Sequence, residues 1–375
     1  MKNDSNPIQR LVIKLGTNLL TGKHVFEGEA LERMVKEVCA LKQEQRMDIL
    51  IVSSGAVGCG MEALSLKHRP ALLPEKQAVA AVGQARLMHY YEVLFRTYGN
   101  GLTTAQVLLT QSDLDARQNY LNIRNTLATL FNMGNVIPIV NENDSTATEE
   151  LRFGDNDTLA AKIAAKINAN LLIILTDVDG LYDKNPLHEA EAKLIADVRE
   201  ITPEIEMAAG DAGSITSTGG MRTKVEAARI ATAAGVDCVI ASGHQEQAIH
   251  RILSGEACCT RFFPSKSAMS HRKRWIAFGR TTTGALHVDD GARKALVNKG
   301  TSLLPAGIVR VEGVFEAGAA VRVVDTGGRV IARGLTNYGS DAVDAIKGRQ
   351  SAEIATVLGR KDFDEVIHRD NMALL

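Results

Sequence analysis

The chain has 375 residues, of which 45% are hydrophobic and 23% are charged, so it is long enough to bury a large core and to form two domains. Its 43 Lys and Arg residues nearly balance 44 Asp and Glu residues, and the formal net charge of -1 gives no sign of a nucleic-acid, membrane or polyanionic partner. Five cysteines without a CxxC pair, and no apolar stretch near the roughly 20 residues of a membrane span, favour a reduced, cytoplasmic protein.

Short apolar runs alternate with helical patterns in the first two thirds of the chain. This alternation is typical of a parallel sheet packed between helices. Apolar residues at helical spacing between Leu31 and Leu41 predict a crossover helix between the first two strands. The predicted strands are 11–15, 48–52, 136–140, 171–175 and 238–241, and further helices are predicted over 84–98, 158–168 and 224–234.

The sequence changes in character near Pro264. Residues 265–274, SKSAMSHRKR, are polar and basic and have no apolar period, so they predict a linker. Short β-like runs follow at 308–311, 321–324 and 330–332, separated by turns that contain glycine. We therefore predict an α/β domain over residues 1–264, a linker over 265–275 and a small, mostly β domain over 276–375.

Polar residues follow every predicted strand of the first domain. Ligands of an open parallel sheet bind at the carboxyl ends of its strands, so these segments predict a binding cleft. The segments are KLGTN at 14–18, SSGA at 53–56, NEND at 141–144, TDVDG at 176–180 and SG at 242–243.

Three parts of the sequence have features suited to an anion or a polar ligand. Lys14 lies in an apolar strand before a glycine, where its ammonium can meet an anion, although a lysine that reaches to solvent fits the same pattern. Residues 217–224, STGGMRTK, lead into a helix whose N–H groups suit phosphate. Residues 155–157, DND, supply more polar groups than one helix cap needs.

Two common nucleotide-binding motifs are disfavoured. The order GGMRTK is not that of a P-loop, which argues against the corresponding nucleotidases. The glycines of residues 55–60 are spaced GxxGxG rather than GxGxxG, which argues against a nicotinamide-dependent enzyme.

Taken in order, several motifs resemble the glutamate 5-kinases of the amino-acid kinase superfamily. NEND followed by FGDND is the distinctive element, because kinases of aspartate, acetylglutamate or uridylate share the lysine strand and the TD strand but not that pair. The resemblance spans about residues 8–263, and the tail resembles a PUA domain, a module otherwise found mainly in RNA-modifying enzymes. The motifs are VIKLGTN, IVSSGAVGCGM, AAVGQARLM, QVLLT, NIRNTL, VIPIVNEND, FGDNDTLAA, LTDVDGLYDKNP and STGGMRTK, then GALHVDDGARKAL, GTSLLPAGIVRVEGVF and YGSD in the tail.

The resemblance implies an αβα sandwich that transfers the γ-phosphoryl group of ATP to the side-chain carboxylate of L-glutamate, the first step of proline synthesis. It also implies Mg²⁺ on the nucleotide phosphates, feedback inhibition by proline, and a homo-oligomer, either a dimer or a tetramer. The implied catalytic residues are Lys14, Lys224 and Asp157. The implied ATP-binding residues are Lys14, Thr176, Asp177, Thr218, Gly219, Gly220, Met221, Arg222, Thr223 and Lys224. The implied glutamate-binding residues are Ser54, Asn141, Asp144, Asp155 and Asn156.

The sequence leaves alternatives open. Ser217 stands where the family usually has glycine, so the geometry of the ATP loop can differ. From Ser265 onward 17 Lys and Arg residues oppose 12 Asp and Glu residues, a net charge of +5, while the rest of the chain carries -6. This charge favours a solvated basic face or an interdomain contact over RNA binding by the tail. Another amino-acid kinase and an RNA-binding protein remain the competing hypotheses.

Overall fold

The computed structural model describes residues 8–20, 28–115, 117–147, 156–186, 189, 191–211, 220–264 and 282–375. The chain folds into two compact units, Met1–Ala268 and Met269–Leu375. The predicted linker, residues 265–275, lies outside the described residues. No helix within the described ranges is long and apolar enough to cross a bilayer.

The first unit is built on one sheet, in which the described residues form eight strands. From edge to edge, the strand order is β3-β4-β2-β1-β5-β7-β8-β6. Neighbouring strands are parallel, except that β8 runs antiparallel to β7. The mainly parallel open sheet predicted from the sequence is therefore confirmed. The strands are β1 (Arg10–Leu15), β2 (Asp48–Ser53), β3 (Thr103–Leu109), β4 (Val136–Glu142), β5 (Leu171–Thr176), β6 (Asp197–Val198), β7 (Asp237–Ser242) and β8 (Cys259–Phe262).

Ten helices of the first unit lie within the described residues. All four predicted helices are present, although the one predicted to begin at residue 84 begins at Leu73. Before residue 84 that helix buries only Val79, Ala80 and Gly83, so its early turns lack the apolar periodicity of a core helix. The helices are α1 (Thr17–Leu20), α2 (Gly28–Gln45), α3 (Ala56–Ala63), α4 (Leu73–Tyr98), α5 (Gln111–Asp115), α6 (Arg117–Asn132), α7 (Asn156–Lys166), α8 (Pro203–Asp211), α9 (Met221–Ala233) and α10 (Ala248–Ser254).

The two faces of the sheet are covered by different helices. Because side chains alternate along a strand, Leu11, Ile13 and Leu15 of β1 share one face, and they join one core with buried residues of α2, α4 and α10. Lys14 belongs to the opposite face, where α7 contacts β1, β2, β4 and β5 and also packs against α9. The first unit is therefore a three-layered sandwich, and Lys14 faces the layer of α7 and α9.

The second unit is a small mixed sheet with short helices, as expected of a mostly β domain. Its strand order is β10-β9-β11-β12-β13, with β9 and β11 parallel and the other pairs antiparallel. The predicted runs at 308–311, 321–324 and 330–332 all form strands, whereas β9 and β13 were not predicted. The elements are β9 (Gly284–Val288), α11 (Asp290–Lys299), β10 (Ile308–Glu312), β11 (Ala320–Val324), β12 (Val330–Leu335), α12 (Ser340–Ile346), α13 (Ile354–Leu358) and β13 (Met372–Leu374).

Candidate active site

An aspartate between two lysines forms the centre of the candidate site. Lys14 is near the end of β1, Asp157 is in the first turn of α7 and Lys224 is in the first turn of α9. The Lys14 Nζ lies 2.5 Å from Asp157 Oδ1, and the Lys224 Nζ lies 3.2 Å from Asp157 Oδ2. The exposed fractions of Lys14, Asp157 and Lys224 are 5%, 0% and 6%. These three charged side chains are thus held together in a site that is almost fully buried from solvent.

The charges of this cluster fix the protonation of its aspartate. Burial by itself would raise the pKa of Asp157, but the ammonium groups of Lys14 and Lys224 hold that pKa below its ordinary value. Asp157 is therefore ionised at neutral pH. The two ammonium groups around this one carboxylate make the cluster suited to an anion such as a phosphoryl group.

The segment predicted to bind ATP lies at the start of α9. Gly220 precedes the helix with an extended backbone, and the Thr223 hydroxyl donates to the Gly220 carbonyl at 2.8 Å and lies 3.3 Å from Asp157 Oδ2. Met221 is buried, whereas Arg222 is exposed. The first turn of α9 thus joins the Asp157 cluster directly. Thr218 and Gly219, together with Ser217, lie outside the described residues.

Thr176 and Asp177 lie where β5 ends, close to the segment that follows β1. The Thr176 hydroxyl donates to Asp177 Oδ1 at 2.9 Å, and the Asn18 Nδ2 donates to Asp177 Oδ2 at 3.0 Å. Burial would raise the pKa of Asp177, but these two hydrogen bonds lower it, so its carboxylate is ionised. Asn18 was not predicted as a site residue, although it belongs to the polar segment that follows β1.

Gly16 allows the two strand ends to approach. Its N–H donates to the Leu175 carbonyl at 2.9 Å. A Cβ atom at Gly16 would lie 3.2 Å from the Leu175 oxygen and 3.9 Å from the Lys14 Nζ, which is closer to the carbonyl than side chains ordinarily come. The glycine after Lys14 thus keeps the space beside the ammonium open.

A second cluster, of neutral polar groups, surrounds Asn156. The Asn156 Nδ2, which carries two hydrogens, lies within hydrogen-bond distance of three acceptors: the Ser53 carbonyl at 3.0 Å, the Ser54 Oγ at 3.0 Å and the Asn141 Oδ1 at 2.9 Å. The Asn156 Oδ1 is buried and has no hydrogen-bond partner among the described residues. An oxygen of this kind is ready to accept a hydrogen bond from a ligand. Because Asn156 precedes Asp157, the two clusters adjoin at the start of α7.

The remaining predicted acceptor-site residues follow β2 and β4. Gly55 has a φ of 107°, a conformation that favours glycine, and it lets the chain turn from β2 into α3. Asp144 is half-buried in the turn after β4, next to the segment that carries Asn141. Asp155 lies outside the described residues. The structure thus brings Ser54, Asn141 and Asn156 together and leaves the predicted role of Asp155 without a described position.

Comparison with known proteins shows the family to which the chain belongs. Residues 9–242 match the model of the amino acid kinase family, and residues 284–358 match the PUA domain. Among solved structures, the chain matches the carbamate kinase from Giardia lamblia bound to AMP-PNP at 17% identity and a TM-score of 0.49, over 69% of this chain and 99% of that chain. Identity is 50% to the glutamate 5-kinase of Moorella thermoacetica over 98% of this chain and 96% of that protein. Identity is 48% to the glutamate 5-kinase of Caldanaerobacter subterraneus over 98% of each chain. With relatives this similar along nearly its whole length, the chain belongs to the glutamate 5-kinases of the amino acid kinase family.

Proposed function

We propose that the chain transfers the γ-phosphoryl group of ATP to the side-chain carboxylate of L-glutamate, giving L-glutamyl 5-phosphate for proline synthesis. The observation that carries this proposal is the junction at the start of α7. Asp157 there holds Lys14 and Lys224, while the adjacent Asn156 joins Ser54 and Asn141. A cationic cluster for a phosphoryl group and a neutral polar cluster for an amino acid thus lie side by side.

The nucleophile in this reaction needs no activation by the protein. A glutamate carboxylate has an ordinary pKa of about 4.3, so it is ionised at neutral pH. A general base has no proton to remove, and catalysis becomes a matter of position and charge. This requirement matches a site whose most deeply buried charged groups are Lys14, Lys224 and the aspartate that fixes them.

Lys14 and Lys224 are suited to the charge that develops on the transferring phosphoryl group. The transition state of phosphoryl transfer spreads negative charge over three equatorial oxygens. Asp157 contacts Lys14 through Oδ1 and Lys224 through Oδ2, so both ammonium groups are oriented before the substrates arrive. Preorganised donors of this kind are each worth about 100-fold to 1000-fold in kcat.

The Asn156 cluster is suited to the α-amino and α-carboxylate groups of the acceptor. The buried Asn156 Oδ1 can accept a hydrogen bond from an ammonium group, and Asp144 would add a negative charge nearby. Backbone N–H groups around Gly55, where α3 begins, would receive the α-carboxylate. Asn141 and Asp155 would complete this subsite, Asn141 by holding Asn156 in place.

Magnesium fits this site as a companion of the nucleotide. In the described part of the chain, no group of three or more His, Cys, Asp and Glu side chains could hold a metal ion. Mg²⁺ commonly keeps several waters and binds through substrate phosphates rather than in an all-protein cage. When bound, it would neutralise phosphate charge alongside the two lysines.

Regulation and assembly follow from the same family assignment. We expect proline to inhibit the reaction whose product leads to it, and we expect the chain to assemble as a dimer or tetramer. A proline titration of the kinase reaction and light scattering of the purified chain test these two expectations separately.

An acceptor panel tests the proposed reaction. The purified chain is incubated with ATP, Mg²⁺ and hydroxylamine, and hydroxamate is measured with L-glutamate, L-aspartate, N-acetyl-L-glutamate or UMP as acceptor, UMP being followed by ATP consumption. We expect hydroxamate with L-glutamate and little turnover with the others. Phosphorylation of N-acetyl-L-glutamate but not L-glutamate would refute the proposal. Salt-dependent RNA binding without ATP turnover on any acceptor would favour the RNA-binding hypothesis instead.

A further inference from the structure

One face of α4 contacts the acceptor cluster at three positions that are seven residues apart; we use the name acceptor cluster for Ser53, Ser54, Asn141 and Asn156 together with the turn from Asn143 to Ala147. Seven residues make nearly two helical turns, so side chains at this spacing lie on the same face. We call Gln77, Gln84 and Tyr91 the α4 face. Each of its members bonds to a different segment of the acceptor cluster: Gln77 to Ala147, Gln84 to Asn141 and Tyr91 to Ser53.

Tyr91 supports the segment that follows β2. Its ring is fully buried and stacks on Phe95, with ring centroids 6.5 Å apart. Its hydroxyl donates to the Ser53 Oγ at 2.8 Å, and Ser53 in turn donates to the Ser54 carbonyl at 2.9 Å. Ser53 is fully buried too. Two consecutive hydrogen bonds therefore connect the Tyr91 hydroxyl, in the core of the sandwich, through Ser53 to the backbone carbonyl of Ser54.

Gln84 supports Asn141 and, through it, Asn156. The Asn141 Oδ1 accepts hydrogen bonds from the Glu142 N–H at 2.9 Å and the Asn156 Nδ2 at 2.9 Å, so the Asn141 Nδ2 must find an acceptor elsewhere. The Gln84 Oε1 is that acceptor, at 2.8 Å. This connection keeps the Asn156 Nδ2 directed at Asn141 and leaves the buried Asn156 Oδ1 for a ligand.

Gln77 supports the turn after β4. Its Nε2 donates to the Ala147 carbonyl at 3.1 Å. The backbone N–H of Ala147 bonds to the Asn143 carbonyl at 3.0 Å, so Ala147 closes the turn that contains Asp144. Gln77 thus ties the position of this turn to α4.

Close packing of α3 on α4 fixes the α4 face relative to the acceptor cluster. A Cβ atom at Gly83 would lie 1.7 Å from the Ala56 oxygen, and one at Gly60 would lie 2.0 Å from the Val79 oxygen. The backbones of α3 and α4 are therefore in direct contact, beginning at Ala56, the residue that follows Gly55. Because backbone contact leaves little freedom for sliding, movement of α4 would be transmitted to the segment from Ser53 to Ala56.

We propose that Gln77, Gln84 and Tyr91 are positioning residues that hold the acceptor subsite in its binding shape and thereby set the affinity for the amino-acid substrate. The identity of that substrate rests on the proposed function. No described hydrogen bond joins the α4 face to Lys14, Asp157 or Lys224. The α4 face therefore acts on the acceptor and leaves nucleotide binding unchanged.

Substitutions that keep shape but remove one hydrogen bond test the proposal in the full-length chain. Tyr91→Phe and Gln84→Met are each expected to raise the KM for L-glutamate about tenfold, the effect of losing one buried hydrogen bond, while the KM for ATP stays within about twofold. Gln84→Glu retains an acceptor for the Asn141 Nδ2 and is expected to keep the KM for L-glutamate within about threefold of the wild type. The split between glutamate and ATP distinguishes positioning from general loosening of the fold.

Tyr338→Phe is the matched control. The Tyr338 hydroxyl is in the second unit, where it donates to the Phe363 carbonyl at 2.5 Å. Its loss is expected to lower Tm without changing either KM. The inference is overturned if Tyr91→Phe and Gln84→Met keep the wild-type KM for L-glutamate, or if they change both KM values equally. If the wild type uses another acceptor, the proposed function fails, and the same variants assayed with that acceptor still decide the role of the α4 face.

Discussion

The Lys14 ammonium lies 2.5 Å from the Asp157 carboxylate, and both side chains are almost fully excluded from solvent. Attraction inside a protein roughly offsets the cost of removing two charges from water, so such a pair adds little net stability. Lys224 brings a second positive charge to the same carboxylate. Two ammonium groups around one carboxylate suit the cluster to the anion that we propose it binds, and removing one member disturbs this buried balance of charge.

Replacing the aspartate tests this interpretation. Asp157→Asn removes the carboxylate that pairs with both buried ammonium groups, and we expect the free energy of unfolding to fall by about 3–5 kcal/mol. Because the lysines lose their orientation, kcat is expected to fall at least about 100-fold. Urea unfolding and steady-state kinetics measure the two effects.

Asp48→Asn is the control for Asp157→Asn. Asp48 pairs with Arg10 at 2.8 Å, and both side chains are partly exposed, at 26% and 30%. We expect Asp48→Asn to lower the free energy of unfolding by at most about 1 kcal/mol and to leave kcat unchanged. Equal losses from the two substitutions would contradict a special role for the Asp157 cluster.

The lowered pKa of Asp157 predicts how stability depends on pH. A carboxyl group whose pKa is lower in the folded chain contributes stability that is fully present above its unfolded pKa of about 3.9 and is lost as pH falls through its folded pKa. The difference in unfolding free energy between wild type and Asp157→Asn should therefore be constant near neutral pH and shrink below about pH 4. Urea titrations from pH 7 to pH 3 measure this difference. A difference that grows as the solution is acidified would contradict the direction of the shift.

Lys224 is expected to act on the chemical step. Lys224→Ala removes a cation that would meet the transferring phosphoryl group, so kcat is expected to fall about 100-fold to 1000-fold with a modest change in the KM for L-glutamate. Lys166→Met is the matched control, because Lys166 is a buried lysine of α7 that donates to the Leu114 carbonyl at 3.2 Å. It should lower stability and leave kcat near that of the wild type. Unimpaired turnover in Lys224→Ala would remove this residue from catalysis.

Gly83 is expected to tolerate no side chain. A Cβ atom there would lie 1.7 Å from the Ala56 oxygen, so Gly83→Ala must separate α3 from α4. We expect this change to lower the free energy of unfolding by about 3 kcal/mol. Gly210→Ala provides a comparison within a helix, since a Cβ atom at Gly210 meets no atom of the described residues within 4 Å. We expect it to be neutral or slightly stabilising. Thermal unfolding of both variants tests the difference, and similar Tm values for the two would contradict close backbone contact.

The central sheet could be predicted from the sequence because its inner strands are buried on both faces. Strands such as β2 and β5 consequently appear as continuous apolar runs. The edge strand β3 was not predicted, since its sequence TTAQVLL is largely half-exposed and its polar residues Thr103, Thr104 and Gln106 leave only a short apolar run. The short strand β8, which pairs antiparallel with β7, was missed for lack of length.

The residues proposed for catalysis could be identified from their residue types, but the residues that hold the acceptor cluster in place could not. Lys14, Asp157 and Lys224 are charged residues in apolar or helix-capping surroundings, and the structure brings all three into contact. Tyr91 and Gln84 carry no such local signal, because a tyrosine or glutamine on a helix has many ordinary uses. Their partners become apparent only once α4 is placed under the segments after β2 and β4.

The central claim is that a carboxylate oxygen of L-glutamate attacks the γ-phosphorus of ATP, and an oxygen label tests it most directly. The chain is supplied with ATP, Mg²⁺, hydroxylamine and L-glutamate in which both oxygens of the side-chain carboxylate are ¹⁸O. Hydroxylamine attacks the acyl carbon of the product, so the bridging oxygen leaves with phosphate. We predict that each released phosphate carries one ¹⁸O atom, detected by mass spectrometry. Unlabelled phosphate, released without hydroxamate, would show attack by water and would contradict the proposed transfer.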